Sequence, residues 1–506
     1  ALVRWMWRRI PRLCRRWPAN VAAAPAAMLG AMLYAALAGF SVPTQRALIM
    51  LGLVMLALLW RRKVSPLYTL SLALLLVVAL NPLALLSAGF WLSFVAVAVI
   101  LTSVFGPARY RWLRIQFVVA LGLLPVLLVY QMNVALLSPL VNLAAIPVFG
   151  LFIVPVVLLA SLLLFVWSAP AVWLLELAAK ALLLAMDGLQ MAAEASPAWH
   201  GGSPGSLLAL LLWITGVALL LAPRGVPARW LGLPMLLPLL LPPRQLLPHG
   251  EFRFTLLDVG QGLSAVVETA GHTLVFDTGP RFRSGFETGS QVLVPFLGQK
   301  HIDHVDTLVL SHSDIDHTGG ASGLLDNRKV NRILAGEPWQ ITANVPTARC
   351  TAGQKWRWDG VSFSIVYPVE SPALQGNNAS CVLKVENTAG SVLLTGDVEA
   401  AAERQLAGRN ANALAADVVV APHHGSASSS SPSFVSATAA AYVLYSAGYA
   451  NRWGFPDERV VRRWAAAGAG SMNTGRAGAI QMHFGLHGLS PPTGFREENR
   501  RWFHHP

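Results

Sequence analysis

The feature that most limits what this chain can become is a series of long apolar runs confined to its first half. A helix needs roughly 20 mostly apolar residues to cross a hydrocarbon core. Residues 21–40, 46–60, 64–81, 83–105, 115–132, 136–166, 170–193, 206–222 and 229–247 offer such runs, with 46–60 and 64–81 the short ones. Only 12% of the 506 residues are charged, against roughly 25% in a soluble protein. After a Pro-rich linker the pattern changes to short β-type runs that end in Asp, His or Gly, such as HTLVFDTG, DTLVLSH, SVLLTGD and ADVVVAPHHG. The chain therefore reads as a polytopic α-helical membrane domain over 1–247 and an α/β domain over 248–506 with a site along one sheet edge.

The net charge of +13 is concentrated beside the apolar runs: Arg4, Arg8, Arg9, Arg12, Arg15 and Arg16, then Arg61, Arg62 and Lys63, then Arg109, Arg111 and Arg114. The positive-inside rule accounts for such clusters, and attraction to nucleic acid or anionic lipid adds to it. With nine crossings, Arg224 and Arg229 also fall inside and the second domain falls outside. If 170–193 instead lies in the interface, the answer flips. Three cysteines, Cys14, Cys350 and Cys381, make no disulfide framework. They read as unpaired small apolar residues, a Cys350–Cys381 bridge being the alternative. The opening Ala and basic arm, followed by further spans, read as a cut through a longer chain rather than a cleaved signal.

Two apolar runs carry polar groups. Residues 130–155 include Gln131, Asn133 and Asn142 with Pro139, Pro147 and Pro155. Proline breaks the helical ladder, and irregular backbone is tolerated at membrane depth where protein or a wet cavity covers it. The run is a broken helix lining a pathway or an ordinary kinked one. In 171–195, Glu176, Lys180 and Asp187 share one helical face. They face a cavity, or the helix lies in the interface.

The densest polar cluster is SHSDIDHTGG, 311–320, directly after the strand-like DTLVL. Ions in a two-metal site lie about 3.5–4 Å apart. His312 and Asp314 can face one ion, Asp316 and His317 a second. Asp397 and the pair His423, His424 follow other apolar runs. One such strand end means little; three spread along the chain point to a metal centre.

This pattern resembles the metallo-β-lactamase fold superfamily, whose signature is HxHxDH followed by later Asp and His ligands. Asp314 stands here in place of the second His, and Asn378 and Ser380 lie where a third His is usual. TLLDVGQG, VFDTGP, LSHSDIDHTGG, NNAS, LLTGD, APHHGS, NRWGFP and TGRAGAI, in that order, resemble the hydrolase-like domain of the ComEC-type DNA-uptake channel family. AGFSVPTQRALIM, NPLALLSAGFWLSFVAV and SPLVNLAAIPV resemble its competence membrane domain. Leu263 replaces the Asp usual after DVGQG, and Phe455 replaces a His common in NRWGFP.

The resemblance implies an αββα metallo-β-lactamase-like second domain. Its metal ligands are His312, Asp314, Asp316, His317, a bridging Asp397, and His423 in preference to His424. Asp316 and Asp397 orient the water, and His424, near the substrate phosphate, donates to the leaving oxygen. Asn378, Ser380, Ser426, Asn451 and Thr474 are candidate substrate contacts, although Asn451 and Thr474 also suit plain turns, and the serine run 426–431 also suits a flexible loop. The cofactors implied are two divalent ions, manganese ahead of zinc because a carboxylate at 314 hardens the site. Asn133, Asn142, Glu176, Lys180 and Asp187 are channel candidates. The implied activity is uptake of single-stranded transforming DNA across a bacterial inner membrane, with a nuclease that degrades the other strand. The partners would be DNA, the bilayer, a receptor protein and a separate motor or strand-binding protein, since no phosphate-binding loop is present. A membrane-anchored phosphodiesterase acting on an envelope phosphoester is the rival reading.

Overall fold

In a computed structural model the protein is described over residues 2–498, apart from 62–63, 104–110, 131–133, 196–197, 200–205, 224, 241–245, 339–343, 370–374, 410 and 487. The chain divides into two compact units, Ala1–Pro243 and Arg244–Pro506.

The first unit is helical. Among the described residues five helices are long and apolar enough to cross a membrane: Ala19–Leu37, Val42–Leu59, Trp112–Val129, Ser138–Leu163 and Ser168–Ala193. Pro66–Leu80, Ala88–Ser103 and Leu207–Leu221 are shorter apolar helices. Local chemistry starts two of these, because the Ser65 and Ser206 hydroxyls accept from the backbone N–H groups of Tyr68 and Ala209. Large apolar side chains point outwards: Leu37 is 82% exposed and Phe165 89%. That is untenable in water and natural in lipid.

One expectation changes. The ninth run, 229–247, forms no span within its described part. It breaks into Arg229–Leu231, Gly232–Met235 and Leu237–Leu240, because Pro234 and Pro238 supply no backbone donor. The parity argument for an external second domain loses its ninth crossing with it. The stretch carrying Pro139, Pro147 and Pro155, in contrast, lies in one 26-residue helix, Ser138–Leu163. Pro147 and Pro155 bracket a π-type stretch, Val148–Ile153, that absorbs the missing hydrogen bonds without a break.

The second unit is layered. Among the described residues its strands form a nine-stranded sheet, a seven-stranded sheet and a separate parallel pair, His304–Val305 with Lys329–Val330. Alternation along the strands makes the layers. Leu383, Val385, Leu394, Val418 and Val420 of one sheet meet Phe254, Leu256, Val267, Leu274, Phe276 and Val309 of the other in a shared core. The intervening Leu393, Val419 and Val443 turn to the opposite face, against Leu406, Phe434 and Trp464 on helices. Val266, Val275 and Leu308 do the same on the first sheet, against Leu293, Leu297 and Leu324. The result is an αββα sandwich. Full burial of each Leu, Val or Phe contributes about 1.5–3 kcal/mol.

Each sheet contains a parallel block. Thr273–Phe276, Thr307–Leu310, Ile333–Ala335 and Thr347–Arg349 run together in one. Ser391–Leu394, Val418–Val420, Tyr442–Tyr445 and Gly470–Asn473 run together in the other. Parallel strands deliver the loops after their carboxyl ends to one edge, which is where α/β sheets build their sites.

Cys350 and Cys381 form a disulfide, with Cα atoms 5.8 Å apart, which corrects the expectation of unpaired thiols. The two are 31 residues apart in sequence. They meet because Cys350 follows Thr347–Arg349 of one sheet and Cys381 precedes Val382–Glu386 of the other. Replacing both with Ala should lower stability by about 2–4 kcal/mol, read from denaturant unfolding. A second tie joins turns of the two sheets. Asp359 accepts from the Thr269 hydroxyl and the Gly271 N–H, both at 2.7 Å, and lies 3.0 Å from His272 Nδ1. Partial burial acts to raise the Asp359 carboxyl, but the bonds from His272, Thr269 and Gly271 win and bring it to about 2. That lies below the unfolded value of about 3.9, so the tie adds stability above pH ~4 that is lost as pH falls towards 2. Asp359→Asn should flatten this acid limb in a pH series of thermal midpoints.

Candidate metal centre

The polar loops after the parallel strands converge. Asp277 follows Thr273–Phe276, His312 follows Thr307–Leu310, Asp397 follows Ser391–Leu394, and the His423–His424 pair follows Val418–Val420. Asp316, His317, Asp397 and His424 bring ligand atoms within 4.8 Å of one another. His317 Nε2 lies 3.2 Å from Asp397 Oδ1, and His424 Nε2 lies 3.3 Å from Asp316 Oδ2 and 3.4 Å from Asp397 Oδ2. His312 is next to this group, its ring 4.3 Å from that of His317 and its Nε2 3.5 Å from Asp314 Oδ2. Asp314 is half-exposed at the mouth.

The imidazoles and carboxylates of the group hold each other charged. Burial alone would raise the Asp397 carboxyl, yet the His317 and His424 rings hold it well below the usual range. Burial would lower His317, yet Asp397 and Asp277 push it well above its ordinary value. His312 Nε2, His317 Nε2, His424 Nε2 and Asp397 Oδ1 are all buried with no hydrogen-bond partner. Buried polar atoms are ordinarily paired, so these orphans, with His317, Asp397 and His424 in a group whose ligand atoms lie within 4.8 Å of one another, fit a divalent ion held by imidazole and carboxylate.

Neighbouring groups aim these ligand-type side chains. Asp277, fully buried, accepts from the Ser311 N–H and hydroxyl and lies 2.8 Å from His317 Nδ1, which fixes that ring with Nε2 inward. Ser380 Oγ lies 3.4 Å from His312 Nδ1 and accepts from the Asp397 N–H. Ser380 therefore braces two members of the group from behind. Asn378 similarly accepts from the Glu399 N–H. Gly396 has φ +56°, and a Cβ there would meet Ser311 Cβ at 2.8 Å, so only glycine lets the chain turn into Asp397. Gly262 has φ +139°, and its Cβ would fall 2.4 Å from the Asp316 carbonyl, so the DVGQG loop packs directly under the cluster.

The histidine pair exchanges places with the expectation. His423 and His424 both have left-handed backbone, φ 49° and 56°, an arrangement costing about 1–3 kcal/mol each. This turns His424 inward, buried, and leaves His423 partly exposed at the mouth. His423 Nε2 is 3.8 Å from Asp397 Oδ2. Its Nδ1 lies 3.4 Å from Glu399 and 3.1 Å from Ser428 Oγ, while Ser428 donates to Glu399.

The serine run is not a loose loop, because the Ser430 and Ser431 N–H groups bond to buried Glu403. Ser426 bonds to Ser428. Asn451 closes its own loop through Gly448 and Phe455, and Thr474 is buried against the Tyr445 and Ala447 carbonyls. In the membrane unit Asn142, Glu176, Lys180 and Asp187 are exposed on their helices, and Asn133 lies outside the described residues. Sequence reading passed over Arg46, 5% exposed in the helix Val42–Leu59 against Gly89; a charge within an apolar run was the available signal. It also passed over Asp277, which lies within VFDTGP, and Glu399 and Glu403.

Asp277→Asn should weaken divalent-metal affinity about 10–100-fold by freeing the His317 ring. Asp397→Ala should remove binding at micromolar metal. Metal content after equilibrium dialysis measures both.

Residues 1–225 match the family described as competence protein, and residues 257–448 match the metallo-beta-lactamase superfamily. The chain is 36% identical over 501 residues to competence protein ComA of Neisseria gonorrhoeae, covering 96% of this chain and 69% of that one. It is 30% identical to the uncharacterized protein YcaI of Escherichia coli, covering 94% of this chain and 63% of that one. It is also 30% identical to recombination protein 2 of Haemophilus influenzae, covering 90% and 63%. The chain thus spans roughly two thirds of the length of these relatives. A competence-type helical unit followed by an αββα domain, at this identity over nearly the whole chain, makes this a member of the ComEC-type competence protein family, with a metallo-β-lactamase-like C-terminal domain.

Proposed function

We propose that this protein serves DNA uptake at a bacterial inner membrane: the helical unit passes one strand and the C-terminal domain hydrolyses phosphodiesters of the other. The observation that carries this reading is the buried carboxylate–imidazole group at the sheet edge, in a chain whose first unit is of the competence type.

In this reading Asp316, His317, Asp397 and His424 hold one divalent ion, and His312, Asp314 and Asp397 a second. Asp314 favours manganese over zinc by adding a hard oxygen donor. Ions so held would supply an activated water and positive charge for the phosphoryl group. The chain's own groups do the rest. Asp277 and Ser380 keep the imidazoles aimed. Half-exposed Asp314 and partly exposed His423 face the substrate side. His423, its Nδ1 end tied to Glu399 and Ser428, presents Nε2 to hand a proton to the leaving oxygen. His424 and His423 thus take each other's expected roles.

The disulfide supports an external position for this domain, since such bonds persist in oxidising compartments. Transport itself requires a separate motor or strand-binding protein and a receptor.

The purified full chain in detergent should cleave DNA with manganese or zinc, and Asp316→Ala should reduce cleavage at least 1,000-fold. Metal-loaded protein that cleaves no DNA with manganese, zinc or magnesium refutes the nuclease. Hydrolysis of a lipid phosphodiester under those conditions would establish the anchored phosphodiesterase instead. His423→Ala should lower the rate about 100-fold while leaving metal content unchanged, and His424→Ala should lower metal content.

A further inference from the structure

Beside the metal centre lies an open groove of about 900 Å³. Its lining includes Tyr449, Asn451, Phe455, Arg462 and Arg476. Tyr449 is 72% exposed, and Trp453, between the lining residues Asn451 and Gly454, is 51% exposed. Two large rings held in water on one short loop are a cost that packing does not explain.

The loop is not free to fold them away. The Asn451 amide donates to the Gly448 and Phe455 carbonyls, and its oxygen accepts from the Phe455 N–H at 2.9 Å. The rings are therefore presented on a braced turn. Positive charge accompanies them. Arg462 and Arg476 line the groove, and the Arg452 guanidinium lies over the Trp453 ring, 4.3 Å from its centre. Glu458 is the only acid on the described lining. It meets Arg462 at 3.5 Å with both side chains in solvent, where such a pair contributes little.

One lining residue of the groove adjoins the centre. The Phe455 ring lies 5.9 Å from that of His423, and the Asp457 N–H donates to the Gly425 carbonyl at 2.9 Å. The ring-bearing loop is thus locked to the loop carrying His423 and His424.

We propose that this groove binds single-stranded nucleic acid, with Tyr449 and Trp453 stacking on successive bases and Arg462 and Arg476 on the phosphates, so that the next phosphodiester lies at His423. The substrate class rests on the nuclease reading; the groove assigns its strandedness and its contacts. Exposed ring faces gain nothing from a duplex, whose bases are already stacked, and gain from unpaired bases whatever their sequence.

The test uses the full chain in detergent with EDTA, so that binding is read without cleavage, by fluorescence anisotropy of a labelled oligothymidylate and of a duplex of equal length. The double variant Tyr449→Ala, Trp453→Ala should bind the single strand about tenfold or more weakly with the same salt slope. Tyr449→Phe, Trp453→Phe should restore binding. Arg462→Gln with Arg476→Gln should flatten the salt slope by about 1.4, roughly 0.7 per lost phosphate contact. Unchanged single-strand affinity in the alanine pair, or duplex bound as tightly as single strand, overturns the proposal. Ring-dependent binding by a protein that cleaves no DNA keeps the groove and refutes the nuclease. Cleavage by wild type with unchanged affinity in the alanine pair keeps the nuclease and refutes the groove.

Discussion

The second unit is organised around one electrostatic problem: the Asp397 carboxylate is buried within reach of three imidazoles. A charge removed from water must be paired or neutralised. Here the pairing imidazoles come from two strand ends, His317 after Thr307–Leu310 of one sheet and His423 and His424 after Val418–Val420 of the other, so the cluster exists only if both sheets are in register. The sandwich core supplies that register, and the Cys350–Cys381 bridge and the Asp359 tie join the sheets at two further points. The core thus holds in place the edge where His312, His317, His424 and Asp397 each bury an unpaired atom.

The surroundings follow from the same demand. Asp277, Ser311 and Ser380 occupy the outward nitrogens of His317 and His312, which leaves Nε2 of each inward. Left-handed backbone at His423 and His424 divides the pair between interior and mouth. Strain of this kind persists only where surrounding structure over-determines it. The Gly425 junction with Pro456 and the Glu403 anchor under the serine run provide that support. Ser380 and Thr474, candidate substrate contacts in sequence, are buried, Ser380 behind His312 and Asp397 and Thr474 against the Tyr445 and Ala447 carbonyls.

The membrane unit obeys a simpler rule. Its helices satisfy their backbone internally and turn Leu and Phe outwards, as lipid requires. Apolar content locates such helices but does not say where proline ends one. Pro147 and Pro155 are absorbed inside a continuous helix, whereas Pro234 and Pro238 divide theirs, because the latter segment folds back against Leu207–Leu221, with Gly232 packed on Gly216.

Much was legible in sequence because it is local. Apolar runs of membrane length, strand alternation, and Asp or His directly after a strand depend only on neighbours along the chain. From them came the two-part architecture, an α/β second domain with a site along one sheet edge, and candidate residues for that edge; the αββα arrangement was implied by the family resemblance. Which histidine of a pair turns inward, whether two distant cysteines meet, and which acid orients a ring depend on through-space register and on backbone φ. His424 over His423, the Cys350–Cys381 bond and the aim of Asp277 at His317 were therefore decided by tertiary structure alone. The sequence by itself determined which chemical groups were available and on which strand ends. Only the packing of one sheet on the other, with water excluded between them, determined which of those groups face one another.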